Sequence, residues 1–367
     1  MYYPELCLRV IRGYPFSEMT SQPSAKSTIW LSRFAWLTAA ATLVLICSGG
    51  MVTSKNAGLA VPDWPTTFGY NMFLFPVSKW IGGIFFEHTH RLIASVVGLL
   101  TIILAIWLWR SEDRQEVRNL GLIAVAGVIL QGILGGLRVT MLRDQIGIFH
   151  ACLAQAFLGL IVLVALVTSK SWQSFSDKNI DPRKIASITA MAVATTLAIY
   201  LQLALGATMR HQHRDLAILD FPTANGAWIP DTSAEALARI NTWRDLHALS
   251  EVTAFQIWLQ MAHRLLALLI AMAVAAICLQ VRRDAPQIAG LRRLSIMWVA
   301  LVSGQITLGA WVIWSNKAAD IATAHVALGA IMLSFGVTIC TICWRISRKQ
   351  RDERSTISLQ TREAAVG

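Results

Sequence analysis

Hydrophobic residues in this chain fall into long runs, separated by polar stretches that hold most of the Lys and Arg. A membrane-spanning helix needs about 20 mainly apolar residues, because each residue advances the helix axis by only about 1.5 Å. Runs of that length occur at 34–54, 84–109, 120–139, 147–168, 186–208, 254–280, 294–314 and 321–344, with polar tails at 1–33 and 345–367. The pattern predicts an all-α polytopic membrane protein with eight transmembrane helices. An even number of spans puts both tails on one side. The two tails and the loops at 110–119, 169–185 and 281–293 hold 21 of the 32 Lys and Arg residues, whereas the four opposite loops with their span edges hold 9. By the positive-inside rule both termini are cytoplasmic.

Composition agrees. Of 367 residues, 55% are hydrophobic and 14% charged, against about 25% charged in soluble proteins. A net charge of +11 could signal a nucleic-acid partner, but the basic residues sit at the ends of apolar runs, so the expected partner is the lipid bilayer and no nucleic acid. The first apolar run is too long for a signal peptide and lacks a cleavage site, so it reads as an uncleaved span. Six cysteines lie mostly within or beside apolar runs; Cys340-x-x-Cys343 falls in the last turns of one, which argues against a zinc or redox motif.

Four histidines sit within the first turns of four spans: His90, His150, His263 and His325. All four spans run from the outer to the inner face, so the four imidazoles share a depth near the outer face. Ionisable side chains inside a membrane are costly and mark functional sites. Two imidazoles from facing helices can clamp one haem, so the four read as two haem-sized sites. The bland alternative is a buried histidine hydrogen-bonded across helices; matched depth and repeat position weigh against it.

The segments around them are duplicated. Phe86–Ala94 is echoed by Leu259–Ala267 at an offset of 173, Gln131 and Gly135 by Gln305 and Gly309 at 174, and His150 by His325 at 175. Earlier, Gly58–Pro65 is echoed by Asp215–Pro222 at 157, which implies a longer second loop in the C-terminal half. A four-span unit keeps its orientation on duplication, so residues 34–168 and 186–344 read as two parallel-repeat four-helix bundles, unlike inverted-repeat transporters. Asp63-Trp64-Pro65 and Asp220-Phe221-Pro222 read as turns capping each bundle. The recurring glycines, Gly49, Gly135, Gly206 and Gly309 among them, read as close-packing positions.

On these residues the chain resembles the haem A synthase family. The match rests on Glu87-x-x-His90-Arg91, the Gly-Leu-x-x-x-Asp-Trp-Pro stretch at 58–65, His150, Gln260-x-x-His263-Arg264 and His325, and covers roughly residues 34–344. The resemblance implies a bacterial plasma (inner) membrane enzyme that oxidises the C8 methyl of haem O to the formyl group of haem A for terminal oxidase assembly. It implies that His90 and His150 flank the substrate haem, that His263 and His325 are axial ligands of a permanent haem b, and that Glu87 is the functional acid. A haem O synthase and oxidase assembly factors are the partners such a role implies. Many bacterial members carry a cysteine pair in the first outer loop; residues 55–83 here contain none, so a redox step relying on that pair is not open to this chain.

Each residue also has an ordinary reading. Glu87 could be solvated at the interface or favour a helix N-terminus, but its repeat partner is the neutral Gln260, and two equal haem clamps would need no acid in only one half. Arg91 and Arg264 either snorkel to lipid phosphates or contact haem propionates. His88 points to a different face from His90 and is not expected to be a ligand. His211, His213 and His247 are expected to be solvated in the long 209–252 loop. Two further functions compete: a di-haem cytochrome b carrying electrons, and a non-enzymatic haem carrier. The acid confined to one half favours the enzyme.

Overall fold

Long apolar runs leave the backbone no partner in lipid but itself, and they form helices throughout. The computed structural model describes residues 29–170, 172, 180–212 and 216–366, with side chains described as far as Arg348 except at Gln212. Most of the N-terminal tail lies outside the described residues, as do His213 and Asp215. The helices are α1 (Ile29–Ser54), α2 (Gly82–Ser111), α3 (Gln115–Met141), α4 (Asp144–Val167), α5 (Pro182–Gln212), α6 (Ala234–Leu246), α7 (Ala254–Asp284), α8 (Ala289–Trp314) and α9 (Ala319–Val366). Among the described residues, eight of these are long and apolar enough to cross a membrane; the exception is α6. Eight spans match the expectation from the apolar runs. Most begin or end a few residues beyond those runs, because the polar end turns still close helical hydrogen bonds.

Two features were not in the sequence reading. The short α6, capped by Ser233 through its hydrogen bond from the Ala236 amide, lies in the long loop before α7. Helix α9 continues without a break through the expected C-terminal tail to Val366.

In the first half, α1 packs on α2 and α4, α2 on α3, and α3 on α4. In the second, α5 packs on α7 and α9, α7 on α8, and α8 on α9. The halves meet through α1 on α9, α4 on α5 and α4 on α9. Large apolar side chains such as Leu99, Leu197, Leu201, Leu265 and Leu279 stay exposed on the outside of the helices. That inverts the soluble pattern and suits a lipid-facing surface. Buried apolar side chains from both halves, including Leu104, Ile161, Ile199, Ile277 and Trp298, form one continuous core. Trp298 also donates its indole N–H to the Met332 carbonyl at 3.1 Å, which fixes α8 on α9.

Close helix approach is sharpest between α5 and α9. A Cβ built on Gly336 would lie 2.5 Å from Thr196 Oγ1 and 3.0 Å from its Cγ2. Thr196 cannot swing away freely, because its hydroxyl donates to the Ala192 carbonyl at 2.7 Å. Gly336→Ala should therefore overpack this contact at a cost of about 1–3 kcal/mol, read as a lowered thermal midpoint of the detergent-solubilised protein. An unchanged midpoint would show that α5 and α9 are not so closely apposed.

Candidate functional site

Each of the four histidines rests against a glycine on the preceding span. A Cβ on Gly49 of α1 would lie 3.1 Å from His90 Cε1, and one on Gly135 of α3 would lie 3.4 Å from His150 Cε1. In the second half the distances are 3.3 Å from Gly206 of α5 to His263 and 3.1 Å from Gly309 of α8 to His325. A Cβ would crowd the rings of His90, His263 and His325 and would reach ordinary contact with that of His150, so glycine lets the helices pack directly on the imidazoles. Four residues before three of these glycines stands a glutamine on the same helical face. Gln131 Nε2 donates to the His150 carbonyl at 3.2 Å, Gln202 Nε2 to the His263 carbonyl at 2.8 Å, and Gln305 Nε2 to the His325 carbonyl at 3.0 Å. The fourth position, beside His90, is Leu45. The first, third, fifth and seventh spans thus each supply a seat, all but the first also supply a brace, and the spans that follow supply the imidazole.

The imidazoles lack hydrogen-bond partners on the edge that meets each glycine. The Nδ1 atoms of His90, His150, His263 and His325 are all buried without a hydrogen-bond partner. The ring centroids of His263 and His325 are 6.5 Å apart, with ring planes inclined at 57°. That separation admits one metal atom bonded to both rings, since a metal–imidazole bond is about 2 Å long. Among the described residues there is no cluster of three or more His, Cys, Asp or Glu side chains able to hold a metal ion. Two imidazoles alone suit a metal whose other positions a macrocycle fills, which is the coordination of a haem iron. The donor set therefore fits haem.

Over each pair lies a loop that is latched to the following helix in the same way. In the first half, Glu87 Oε2 accepts from the Val61 amide at 2.9 Å and Oε1 pairs with Arg91 at 2.8 Å, both side chains being buried. Arg91 also donates to the carbonyls of Asp63 at 2.7 Å, Thr66 at 3.0 Å and Val61 at 3.0 Å. In the second half, Gln260 Oε1 accepts from the Ile218 amide at 3.0 Å and its Nε2 donates to the Ile218 carbonyl at 3.1 Å. Arg264 donates to the carbonyls of Thr223 at 2.8 Å and Asp220 at 2.7 Å. Acid and amide thus hold corresponding loop residues. Glu87 has a structural task as well as whatever its charge adds.

The loops themselves are copies. Asp63 accepts from the amides of Phe68 at 2.7 Å and Gly69 at 2.8 Å and from the Thr66 hydroxyl. Asp220 does the same with Asn225 at 2.7 Å, Gly226 at 2.9 Å and Thr223 at 2.6 Å. Each turn places two successive residues at positive φ, Phe68 at 49° with Gly69 at 75°, and Asn225 at 53° with Gly226 at 82°. A type I′ turn demands this of both central residues. Trp64 lies on Gly136 of α3, where a Cβ would come within 2.5 Å of the indole. The repeat partners are the smaller Phe221 and the larger Ala310, a complementary exchange of size.

His88 is fully buried beneath the first loop, its Nδ1 3.2 Å from Thr67 Oγ1 and its ring against Phe75 and Trp80, away from the paired imidazoles. His247 is exposed and stacked on Trp243, as a solvated loop residue should be. His211 departs from expectation. It lies in the last turn of α5, and a Cβ on Gly147 of α4 would touch it at 2.8 Å. The length of α5 carries it into the seam between the halves, which hydropathy alone could not reveal because the final turn of α5 is polar. Sequence reading also passed over Arg138, whose Nε would lie 3.2 Å from the same absent Cβ.

Burial pushes the carboxyl of Asp63 up, but the hydrogen bonds from Gly69, Thr66 and Phe68 outweigh it and hold the group below the usual carboxylate range. A depressed folded value stabilises the loop above the unfolded value of about 3.9, and that contribution is lost as the pH falls through the lower folded value. The first loop should accordingly become protease-sensitive below about pH 4, and Asp63→Asn should show similar sensitivity at pH 7. A variant loop as resistant as the parent would remove Asp63 as its organiser.

Residues 32–337 match the COX15-CtaA family, described as cytochrome oxidase assembly protein. Similar proteins include one named heme A synthase from Shouchella clausii, 33% identical over 217 residues, which are 56% of this chain and 68% of the relative. Another of that name, from Halalkalibacterium halodurans, is 26% identical across 87% of this chain and 98% of its own length. A third, from Bacillus licheniformis, is 27% identical across 86% and 95%.

Proposed function

Because the chain belongs to the family of cytochrome oxidase assembly proteins, we propose that it is a haem A synthase, a multi-pass membrane enzyme that oxidises the C8 methyl of haem O to the formyl group of haem A. The observation that carries this reading is the pairing of seated, unpartnered imidazoles, with an acid beside only one pair. His90 and His150 would flank the iron of the substrate haem, and His263 and His325 would hold haem b. Haem b, when bound, would supply an electron acceptor close to the substrate. We read the halves as parallel-repeat bundles in a bacterial plasma membrane with both termini cytoplasmic, on the distribution of Lys and Arg.

The protein's own residues orient the substrate and manage protons. The glycine seats meet the ring edges, the glutamine braces hold the backbone of His150, His263 and His325, and the latched loops shield the sites from water. Methyl oxidation releases protons, and Glu87 Oε1, the oxygen it shares with Arg91, is the atom we assign to receive one or to position the attacking water. For propionates, Arg264 keeps a buried and unpartnered Nε, whereas both terminal nitrogens of Arg91 are committed to Glu87 and loop carbonyls.

Purified protein co-expressed with a haem O synthase should yield haem A together with haem b on extraction and chromatography. Two haems b per chain and no haem A would instead support a di-haem electron-transfer cytochrome, the reading that the matching seats in both halves would favour.

Glu87→Gln is an unusually clean test because the chain already holds a glutamine at the equivalent place. Gln260 shows that an amide can keep the loop latched. The variant should fold, keep its loop protected from protease and lose about 10²–10⁴-fold in turnover. Retained activity would remove the proton-handling role and leave Glu87 a latch; a non-enzymatic haem carrier would also tolerate the change.

A further inference from the structure

One face of α3 reads Gln131, Gly135 and Arg138, and its counterpart on α8 reads Gln305, Gly309 and Val312. The first two positions do the same work in both halves, bracing and seating a histidine. Only the third differs. Arg138 stands three residues beyond the seat of His150, about one helical turn farther toward the loops.

The space around Arg138 is built from small residues. A Cβ on Gly58 of the first loop would lie 2.8 Å from Arg138 Nη2, and one on Gly147 of α4 would lie 3.2 Å from its Nε. The repeat position of Gly147 is Ala322, so the room is made only where the arginine is. His211 of α5 closes the same corner over Gly147. Arg138 is partly buried and surrounded by the loop, α4 and α5, so its side chain faces the interior of the protein and not lipid phosphates. Its guanidinium makes no hydrogen bond or ion pair with the described residues, although Glu87 and Asp144 lie within electrostatic reach. Arg210 hydrogen-bonds the Gly50 carbonyl and the Ser54 hydroxyl and adds positive charge nearby. His90 and His150 both feel the charge of Arg138.

A guanidinium partly withdrawn from water, with no carboxylate in ion-pair contact among the described residues, favours an anion and binds carboxylates through paired charge-assisted hydrogen bonds. The only ionised groups on the periphery of a haem are its two propionate carboxylates. We infer that Arg138, in the corner formed by Gly58, Gly147 and His211, is the seat for a propionate of the haem held between His90 and His150. This rests on the functional reading above and gives the first site a recognition element that the second lacks. Arg138 is therefore a positioning residue for substrate, and the free Nε of Arg264 serves the other half.

The test is optical titration of the purified full chain in detergent with ferric protohaem, which carries two free propionates, and with its dimethyl ester. Binding lost on replacing His90 and His150 together with Ala is assigned to the first site. Arg138→Gln should raise the first-site Kd for protohaem about tenfold or more and leave that for the diester unchanged, the loss expected of a charge-assisted hydrogen bond. Arg138→Lys should recover part of the loss. Equal weakening of both ligands would mean that Arg138 only shapes the site and would overturn the inference, as would no weakening of either. An Arg138-dependent effect that follows added phosphatidylglycerol, and not esterification, would make a lipid phosphate the occupant and also overturn it. If no binding depends on His90 and His150, the functional reading falls and takes this inference with it.

Discussion

Everything at this site depends on keeping four imidazoles in the membrane, each with a ring nitrogen that has no hydrogen-bond partner among the described residues. A polar group buried without a partner costs several kcal/mol in hydrocarbon, so a free imidazole nitrogen persists only where the surroundings hold the ring in place. Here that is done from behind and below. A glycine lets the preceding helix meet the ring edge, and for His150, His263 and His325 a glutamine ties the histidine's own carbonyl to that helix. The bracing adds no charge to the core.

The latched loops follow from the same constraint. Sites near one end of a bundle are open to water unless something covers them, and a covering loop brings unpaired backbone groups of its own. Arg91 and Arg264 meet that need by donating to loop carbonyls, while Glu87 and Gln260 take the matching amides. Aspartates at 63 and 220 then organise each turn from within. One charged and one neutral latch do equivalent structural work, so the difference between them is available to chemistry.

The helices were legible because twenty-residue apolar runs admit almost no other structure in a membrane. The four histidines and the duplication were legible because the spacing of His90, His150, His263 and His325 repeats almost residue for residue. What could not be read were relations across helices. Gly135 and Gly309 looked like generic packing positions, and nothing linear shows that an imidazole fills the space they leave. His211 looked like a loop residue because the polar last turn of α5 breaks the hydropathy pattern, although the helix itself continues. Glu87 stood out as an asymmetry, but its bond to the Val61 amide, and Gln260's to Ile218, appear only once the loop folds back.

His211 and Arg210 belong by sequence to the second repeat, yet they complete the first, one against Gly147 and the other on the carbonyl of Gly50. The corner at Gly147 and the C-terminal end of α1 are thus each closed by a side chain that α5 supplies. Parting α1–α4 from the helices that follow would uncover both, so the seam is held by borrowed side chains as well as by packed apolar faces.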